Sequence, residues 1–539
     1  MRPSQRRHLA VGLILGLALL GTSAVAAPAA VTLVRGPYLQ RVTWQAATIR
    51  WRTSAKSASE VHWGDAPGAL VNVVANATSV TEHELTIPGL APQQRVFYSI
   101  GYPGTTLAGD DPAHAFTTAP TPDMGTPLRL WAVGDPGRGN LGQLQVRDAA
   151  AAYMAGHPAD VWLMLGDNAY TNGTDTEYQT ELFDVYADLL TTTTFYPTRG
   201  NHDVVVSGAN NDYFDFFTLP AAGEAGGVPS GTEAFYSVDR GSVHLVCLDS
   251  EGSAFNAAML TWLRQDLAAT NATWTIAFWH HPPYTKGTHD SDDPTDSEGK
   301  MEQMREVVLP VLDSLGVDLV LCGHSHVYER SFLVAGHYGL STTLAPSMVL
   351  DAGDGQDEGT GPYRKPTEGR APNEGIVYVV SGTGALAESG PLDHPVMAVS
   401  TSVLGSLVID VDGTRLDTKF VTADGDVEDH FTILKGSGVA GVPPPTATSL
   451  RLTGAGANPS ALLTRLRFVL PAAAPARLTI VDAAGRRVAT LADGPQAAGS
   501  HTAAWSGTAE AGGRAPAGLY FAVLESGGAR RTLKVVRLR

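Results

Sequence analysis

Five strand-like runs between Leu128 and Val327 each end on residues that carry chemistry. RLWAV leads into Gly134-Asp135-Pro136-Gly137, VWLML into Gly166-Asp167-Asn168-Ala169-Tyr170, and FYPTR into Gly200-Asn201-His202-Asp203. WTIAFW leads into His280-His281-Pro282-Pro283-Tyr284, and VDLVLC into Gly323-His324-Ser325-His326. Helix-like segments, QLQVRDAAAAYMAG and NAAMLTWLRQDLAAT, lie between several of these runs. Strands alternating with helices bury both faces of a sheet in a layered α/β domain. The antiparallel-looking runs GIVYVVSGTG and LGSLVIDVDG extend that domain, which is expected over residues 128–435.

The flanks have a different texture, and a chain of 539 residues exceeds what one core can serve. Within residues 31–119, the runs ATIRWRT, EVHWGD, HELTIPGL and RVFYSIGY are separated by turn residues, which predicts a β-sandwich. TTAPTPDMGTP then supplies a proline-rich linker, and GSGVAGVPPPTATS marks a second one over residues 436–449. Beyond it, RLRFVL, ARLTIVDAAGRRVATL, HTAAWSG and GLYFAVLES predict another sandwich over residues 450–539. Between Leu340 and Glu374 lies a polar insertion containing DAGDGQDEGTGPY. Its acids do not follow EF-hand spacing, so a solvated loop is expected.

Residues 1–26 read as a cleaved export signal: Arg2, Arg6 and Arg7 precede LAVGLILGLALL, and Ala24-Val25-Ala26 offers a small-residue cleavage site. The Arg6-Arg7 pair leaves a twin-arginine route open. That apolar stretch is short for a membrane span, and no later segment is long and apolar enough to cross a bilayer. The expected location is therefore periplasmic, cell-surface or secreted. Cys247 and Cys322 lie in or at the end of apolar runs and are expected to be free buried thiols. A net charge of −17 weighs against nucleic acid as a specific partner. A field of that sign also repels phosphate, unless bound metal reverses the local potential.

In open α/β sheets, functional groups gather where strand ends feed loops. Glycine just before such a group lets the chain turn sharply. The five segments thus bring carboxylates, a phenol, an amide and several imidazoles to one kind of position. Oxygen and imidazole ligands together suit zinc, iron or manganese, and a carboxylate can bridge two ions. A hard anionic tyrosine oxygen favours a trivalent ion such as iron(III). Successive residues at a strand tip point apart, so His324 and His326 can serve different ions. A single Gly-Asp or His-x-His is commonplace. Five such segments in order point to a dinuclear metal site.

The ordered blocks GDPG, GDNAY, GNHD, a strand-end histidine and GHSHVYERS resemble the calcineurin-type metallophosphoesterases. Tyr170, three residues after Asp167, and VYERS after the last histidine narrow the resemblance to the purple acid phosphatases. RGPYLQ, near the start of the first β-module, is similar to the N-terminal fibronectin-III-like domain of larger members, so the resemblance covers residues 31–435. It implies a multidomain α/β plus all-β chain, a layered α/β/β/α sandwich flanked by two β-sandwich modules. It also implies iron(III) held by Asp135, Asp167, Tyr170 and His326. A divalent ion (Fe, Zn or Mn) would be held by Asp167, Asn201, His280 and His324, with Asp167 bridging. His202 would face the phosphate and protonate the leaving oxygen, and His289 would be a second substrate-facing histidine. Asp290 follows His289 where plant relatives carry a histidine pair, and His281 is a neighbour of the ligand that either packs or faces substrate. Asp203 and Glu329 are candidates to orient ligand histidines, with plain salt bridges equally compatible.

The last domain resembles a different group, the Ig-like C-terminal modules of exported bacterial proteins, including the flagellar hook-capping fold and secretion-sorting tails. NPS at 458–460, VDAAGRRVATL, AWSG and PAGLYFAVLESGG carry that likeness. It implies surface or secretion-machinery attachment, or spacing, and no chemistry; a generic sandwich without a partner is the alternative. The whole chain is expected to be an exported acid phosphatase-like enzyme, hydrolysing phosphate monoesters through attack by metal-bound hydroxide. A phosphodiesterase or nucleotide hydrolase with the same metals and a non-catalytic surface adhesion protein stay open as alternatives.

Overall fold

The computed structural model describes residues 30–205, 212–252, 257–436, 450–454, 464–470, 473–496, 499–510 and 512–538. The expected export signal, residues 437–449 of the second linker and the NPS motif lie outside them. Two seven-stranded sheets occupy the centre. In one, Leu128–Val133, Val161–Met164 and Thr194–Pro197 run parallel. Gly405–Asp412, Arg415–Thr422 and Val427–Lys435 extend it with antiparallel neighbours. In the other, Val243–Cys247, Trp274–Phe278, Leu319–Cys322 and Val377–Ser381 run parallel. All five runs that end on chemistry are therefore strands of these parallel sets.

Alternation along the strands decides what each face meets. Leu130, Leu163, Leu245, Phe278, Leu321, Val379, Leu407 and Phe420 come from both sheets and share one core. On the far side of the second sheet, Val246, Ala277, Val320 and Tyr378 pack with Met259, Trp262, Leu263 and Leu267 of the helix Ala257–Ala269. On the first sheet, Trp131 and Trp162 stack at 4.9 Å, and the helix Leu141–Tyr153 supplies Val146 and Ala150 to the core. Burying side chains of this kind is worth about 1.5–3 kcal/mol each. Asn140 caps that helix by accepting a hydrogen bond from the Gln143 N–H. Both cysteines are free and buried.

In the N-terminal module six strands join in one branched sheet. ATIRWRT and EVHWGD, which read as two strands in the sequence, belong to the single strand Ala46–Gly64. Its register shifts between Arg52 and Ser59 show how the polar stretch between them is absorbed as bulges instead of a turn. The module is fastened to the centre. Tyr38 sits in the central core and its hydroxyl donates to the Phe216 carbonyl at 2.8 Å. Arg35 lies over the rings of Phe183 and Phe216, 4.4 Å from each centroid. Arg35 and Arg52 both pair with Asp175.

The C-terminal segment forms a three-stranded and a four-stranded sheet around Leu466, Phe468, Leu478, Ile480, Trp505, Ala522 and Val535. Arg467 reaches Asp354 of the polar insertion at 2.7 Å. Asp354 closes that insertion by accepting from the Thr360 and Gln356 N–H groups. Its carboxylate is thus committed to the loop's own backbone and one arginine. Among the described residues no helix is long and apolar enough to cross a membrane.

One buried charge cluster stands apart from the strand tips. His244 is fully enclosed, with Nδ1 2.7 Å from Asp239 and Nε2 2.8 Å from Asp266 of the overlying helix. Burial opposes its charge, but the two carboxylates win and raise its pKa from 6.5 to about 9. The folded protein holds this proton more tightly, so the stabilisation is complete below pH 6.5 and is lost as pH climbs through 9. Its size is on the order of 3 kcal/mol. Thermal unfolding from pH 6 to 10 should show wild type losing stability across that window, while His244→Gln starts lower and loses that component.

Candidate metal centre

Three of the residues at the strand tips adopt left-handed backbone: Asp135 (φ 56°), Asp167 (φ 52°) and His324 (φ 70°). Non-glycine residues do so at a cost on the order of 1 kcal/mol each, and such conformations concentrate at functional sites. Two of them are held by backbone N–H bonds. The Asp135 N–H donates to the Gly166 carbonyl at 3.1 Å, and the His324 N–H donates to Asp135 Oδ2 at 2.8 Å. Two glycines give these groups room. A Cβ on Gly200 would lie 2.1 Å from Asp167 Oδ1, and one on Gly323 2.5 Å from Asp135 Oδ2.

The side chains meet in two adjoining groups. In the first, the Tyr170 hydroxyl is 3.1 Å from Asp135 Oδ1 and 3.3 Å from His326 Nε2. In the second, Asn201 Oδ1 is 3.0 Å from both His280 Nε2 and His324 Nδ1. Asp167 joins them: its Oδ1 lies 3.5 Å from His280 Nε2, and its charge acts on both Asp135 and Tyr170. Ligand atoms of Asp135, Asp167 and His280 all fall within 4.8 Å of one another.

Hydrogen bonds on the outer side of each imidazole settle which nitrogen faces inward. His280 Nδ1–H donates to the Leu165 carbonyl, leaving the Nε2 lone pair for the site. His326 Nδ1–H donates to Glu388 at 2.7 Å, which again frees Nε2. Ser297 gives its own hydrogen to Asp296, so it accepts from His324 Nε2–H at 2.6 Å and Nδ1 faces inward. Three imidazole lone pairs, two carboxylates, a phenol and an amide oxygen therefore converge, a donor set that suits iron, zinc or manganese.

The charges make the same point. Burial, then the charge of Asp167, pushes the Asp135 carboxyl well above the usual carboxylate range. Burial, then Asp135 and Asp167, pushes the Tyr170 hydroxyl up, and burial holds His280, His324 and His326 down. The protein alone thus disfavours ionisation at a place lined with acids. Cations reverse that balance, and the residues present fit a pair of them.

His202 and His289 stand at the rim, their side chains 28% and 32% exposed. His202 Nδ1–H donates to the Thr171 carbonyl, and its Nε2 lies 3.9 Å from Asp167 Oδ2. His289 is fixed by Asp296 and stacks on His324 at 3.9 Å. His281 is buried beside Ser250 and Glu251, its ring 4.3 Å from that of His324. Asp203 and Glu329 do not contact ligand histidines. Asp203 accepts from the Asn168 and Gly200 N–H groups and from the Tyr178 hydroxyl, tying two ligand loops together. Burial and the Asp167 charge raise it to about 7. Glu329 accepts from Thr285, on the segment leading to His289, and from Ser400 of the strand Met397–Thr401.

Sequence reasoning missed the residues that do the orienting, namely Glu388 in a loop and Asp296 and Ser297 in the short 3-10 helix Asp296–Gly299, none of which carries a spacing signal. It also missed Arg138, whose guanidinium lies 3.9 Å over the Tyr170 ring, although GDPGR places it three residues after Asp135. Asp203→Ala should weaken metal retention about 10- to 100-fold by loosening both loops. Metal content after dialysis against graded chelator measures this; retention equal to wild type contradicts the role.

Residues 128–328 match the calcineurin-like phosphoesterase family, and residues 460–529 match the FlgD Ig-like domain. Purple acid phosphatase 15 of Arabidopsis thaliana is 27% identical over 307 residues, 52% of this chain and 54% of that protein. Purple acid phosphatase 1 of Ipomoea batatas is 27% identical over 331 residues, 57% and 65% of the two chains. The chain thus spans between half and two thirds of these relatives' length. A purple acid phosphatase from yellow lupin seeds superposes with TM-score 0.56 at 17% identity, over 75% of this chain and 74% of that one. The structure of PhoD superposes with TM-score 0.51 at 11% identity, over 75% and 90%. At such identities the structures speak for the fold alone. The central domain is a calcineurin-like metallophosphoesterase domain with purple acid phosphatase homologues, and a FlgD Ig-like domain follows it.

Proposed function

We propose that this chain is an exported dinuclear-metal phosphatase of the purple acid phosphatase type, acting on phosphate monoesters. The observation that carries it is the anchoring of three imidazoles through their outer N–H groups, so that their lone pairs meet Asp135, Asp167, Tyr170 and Asn201. Asp135, Tyr170, His326 and Asp167 would hold iron(III); Asn201, His280, His324 and Asp167 would hold a divalent ion. Bound there, two cations supply Lewis acidity and an activated water, and offset phosphate charge that the net-negative chain would repel.

The remaining work falls to side chains. With Nδ1–H committed to Thr171, His202 presents Nε2 at the rim, and in its protonated form Nε2–H donates to the departing alkoxide oxygen. His289, its Nδ1–H braced by Asp296, in its protonated form donates Nε2–H to a phosphate oxygen. Burial of the inner ligands keeps bulk water from them and strengthens every electrostatic contact. The same reading takes the N-terminal module as fibronectin-III-like, the centre as an α/β/β/α sandwich, and the C-terminal domain as an attachment or spacing unit. The likeness to FlgD Ig-like domains supports that last assignment.

Purified protein should absorb in the visible through tyrosinate-to-iron charge transfer, and Tyr170→Phe should bleach it while keeping the fold. A band of undiminished intensity in that variant overturns the ligand assignment. Asp167→Ala should lose both metals and turnover. His202→Ala should keep its metal and lose about 10²–10⁴-fold in kcat for a monoester with a poor leaving group. Comparing a simple monoester with its diester in the same assay decides the substrate class; faster diester turnover refutes the monoester assignment.

A further inference from the structure

Five of the buried side-chain atoms that lack a hydrogen-bond partner belong to three residues: Arg305 Nε and Nη2, His337 Nδ1 and Nε2, and His394 Nε2. The three residues are 0%, 1% and 2% exposed. They surround one segment. Arg305 Nη1 donates to the carbonyls of Pro283 and Ser291, at 3.1 and 2.6 Å. The Tyr284 ring stacks on His337 at 5.4 Å and lies 5.5 Å from His394, and the Tyr284 hydroxyl donates to the His337 carbonyl.

Their hydrogens can be assigned. The Val396 N–H donates to His394 Nδ1 at 3.3 Å, so His394 carries its hydrogen on Nε2. Burial holds both imidazoles below their ordinary range, His394 at about 3, so both are neutral. The cluster therefore presents N–H groups from Arg305 Nε, Arg305 Nη2, His394 Nε2 and one nitrogen of His337, against one imidazole lone pair. Leaving such groups unpaired costs about 1–3 kcal/mol each. Water brings hydrogens that need acceptors of their own, whereas an anion needs donors alone. The carboxylate whose charge acts on both rings, Asp292, is already engaged by the Ser341 N–H and hydroxyl and by Lys286.

One guanidinium balances one negative charge, and complete enclosure selects a small ion. We infer that Arg305, His337 and His394 enclose a binding site for a monovalent anion of halide size, seated behind the segment that joins His280 to His289. The anion completes the hydrogen bonding around Tyr284 and thereby fixes the stretch from which His289 projects. This site does not depend on the preceding functional assignment: a protein that binds halide here but holds no metal keeps the inference and loses the phosphatase reading.

Bromide is the probe. Crystals of the full chain soaked in sodium bromide, measured above the bromine absorption edge, should show an anomalous peak bonded to an Arg305 nitrogen and His394 Nε2. In solution, thermal unfolding in sodium bromide is compared with sodium gluconate at equal ionic strength, since gluconate is too large to be enclosed. The wild-type midpoint should rise in bromide by mass action. The bromide concentration giving half that rise should increase at least tenfold in His394→Phe and Arg305→Met. His394→Phe keeps a ring in place without the Nε2 donor, so the comparison stands even where Arg305→Met does not fold. Water density without an anomalous peak overturns the inference. So does the same half-rise concentration in His394→Phe, since a peak without that difference is an adventitious ion only.

Discussion

Two carboxylates sealed from water beside a phenol and three imidazoles cannot all keep their preferred charge states. Burial raises the cost of ionising Asp135 and Tyr170, the charge of Asp167 adds to both, and that of Asp135 adds to Tyr170. The rest of the central domain exists to hold that arrangement in spite of its repulsion. Backbone N–H groups of His324 and His202 are spent on the two aspartates, and each inward-facing imidazole is pinned from behind. Such a centre is poised for cations, because positive charge turns each unfavourable neighbour into a ligand.

The fold supplies precision through its strand ends. Parallel strands from two sheets finish near one another, and three of the residues at their tips sit in left-handed backbone that only a firmly determined surrounding would sustain. Glycine at 200 and 323 permits contact so close that any β-carbon would displace a carboxylate oxygen. Rigidity of this kind, paid out along the chain as ordinary sheet hydrogen bonds, positions groups that no single loop could align.

Much of this was readable from the letters. Apolar runs of four to six residues located the central strands, and the residues after them supplied every side chain that the structure brings together at the centre. Local patterns carry such information because strand length and side-chain alternation are local properties. The partners of the ligands were not readable. Glu388 reaches His326 from 62 positions away and Ser297 reaches His324 from 27, through loops whose paths depend on packing. Asp203 and Glu329 drew attention by lying near motif residues, but neighbourhood in sequence misjudged what they touch. Likewise the polar stretch between ATIRWRT and EVHWGD looked like a turn, because a bulged strand and a turn use the same residue types.

The grip of the first β-module on the centre has a wider meaning. Arg35 and Arg52 hold Asp175, and Glu177, two residues further on, accepts hydrogen bonds from the backbone of Thr171 and Asn172, directly after Tyr170. Mechanical continuity therefore runs from the module's first two strands to the phenol of the candidate metal centre in a handful of bonds. A domain attached in this manner is a buttress to the floor of that site and cannot be exchanged as an independent bead on a string. Insertions or rearrangements at that seam would be felt at the phenol itself, although the seam lies outside the cluster of strand-tip side chains.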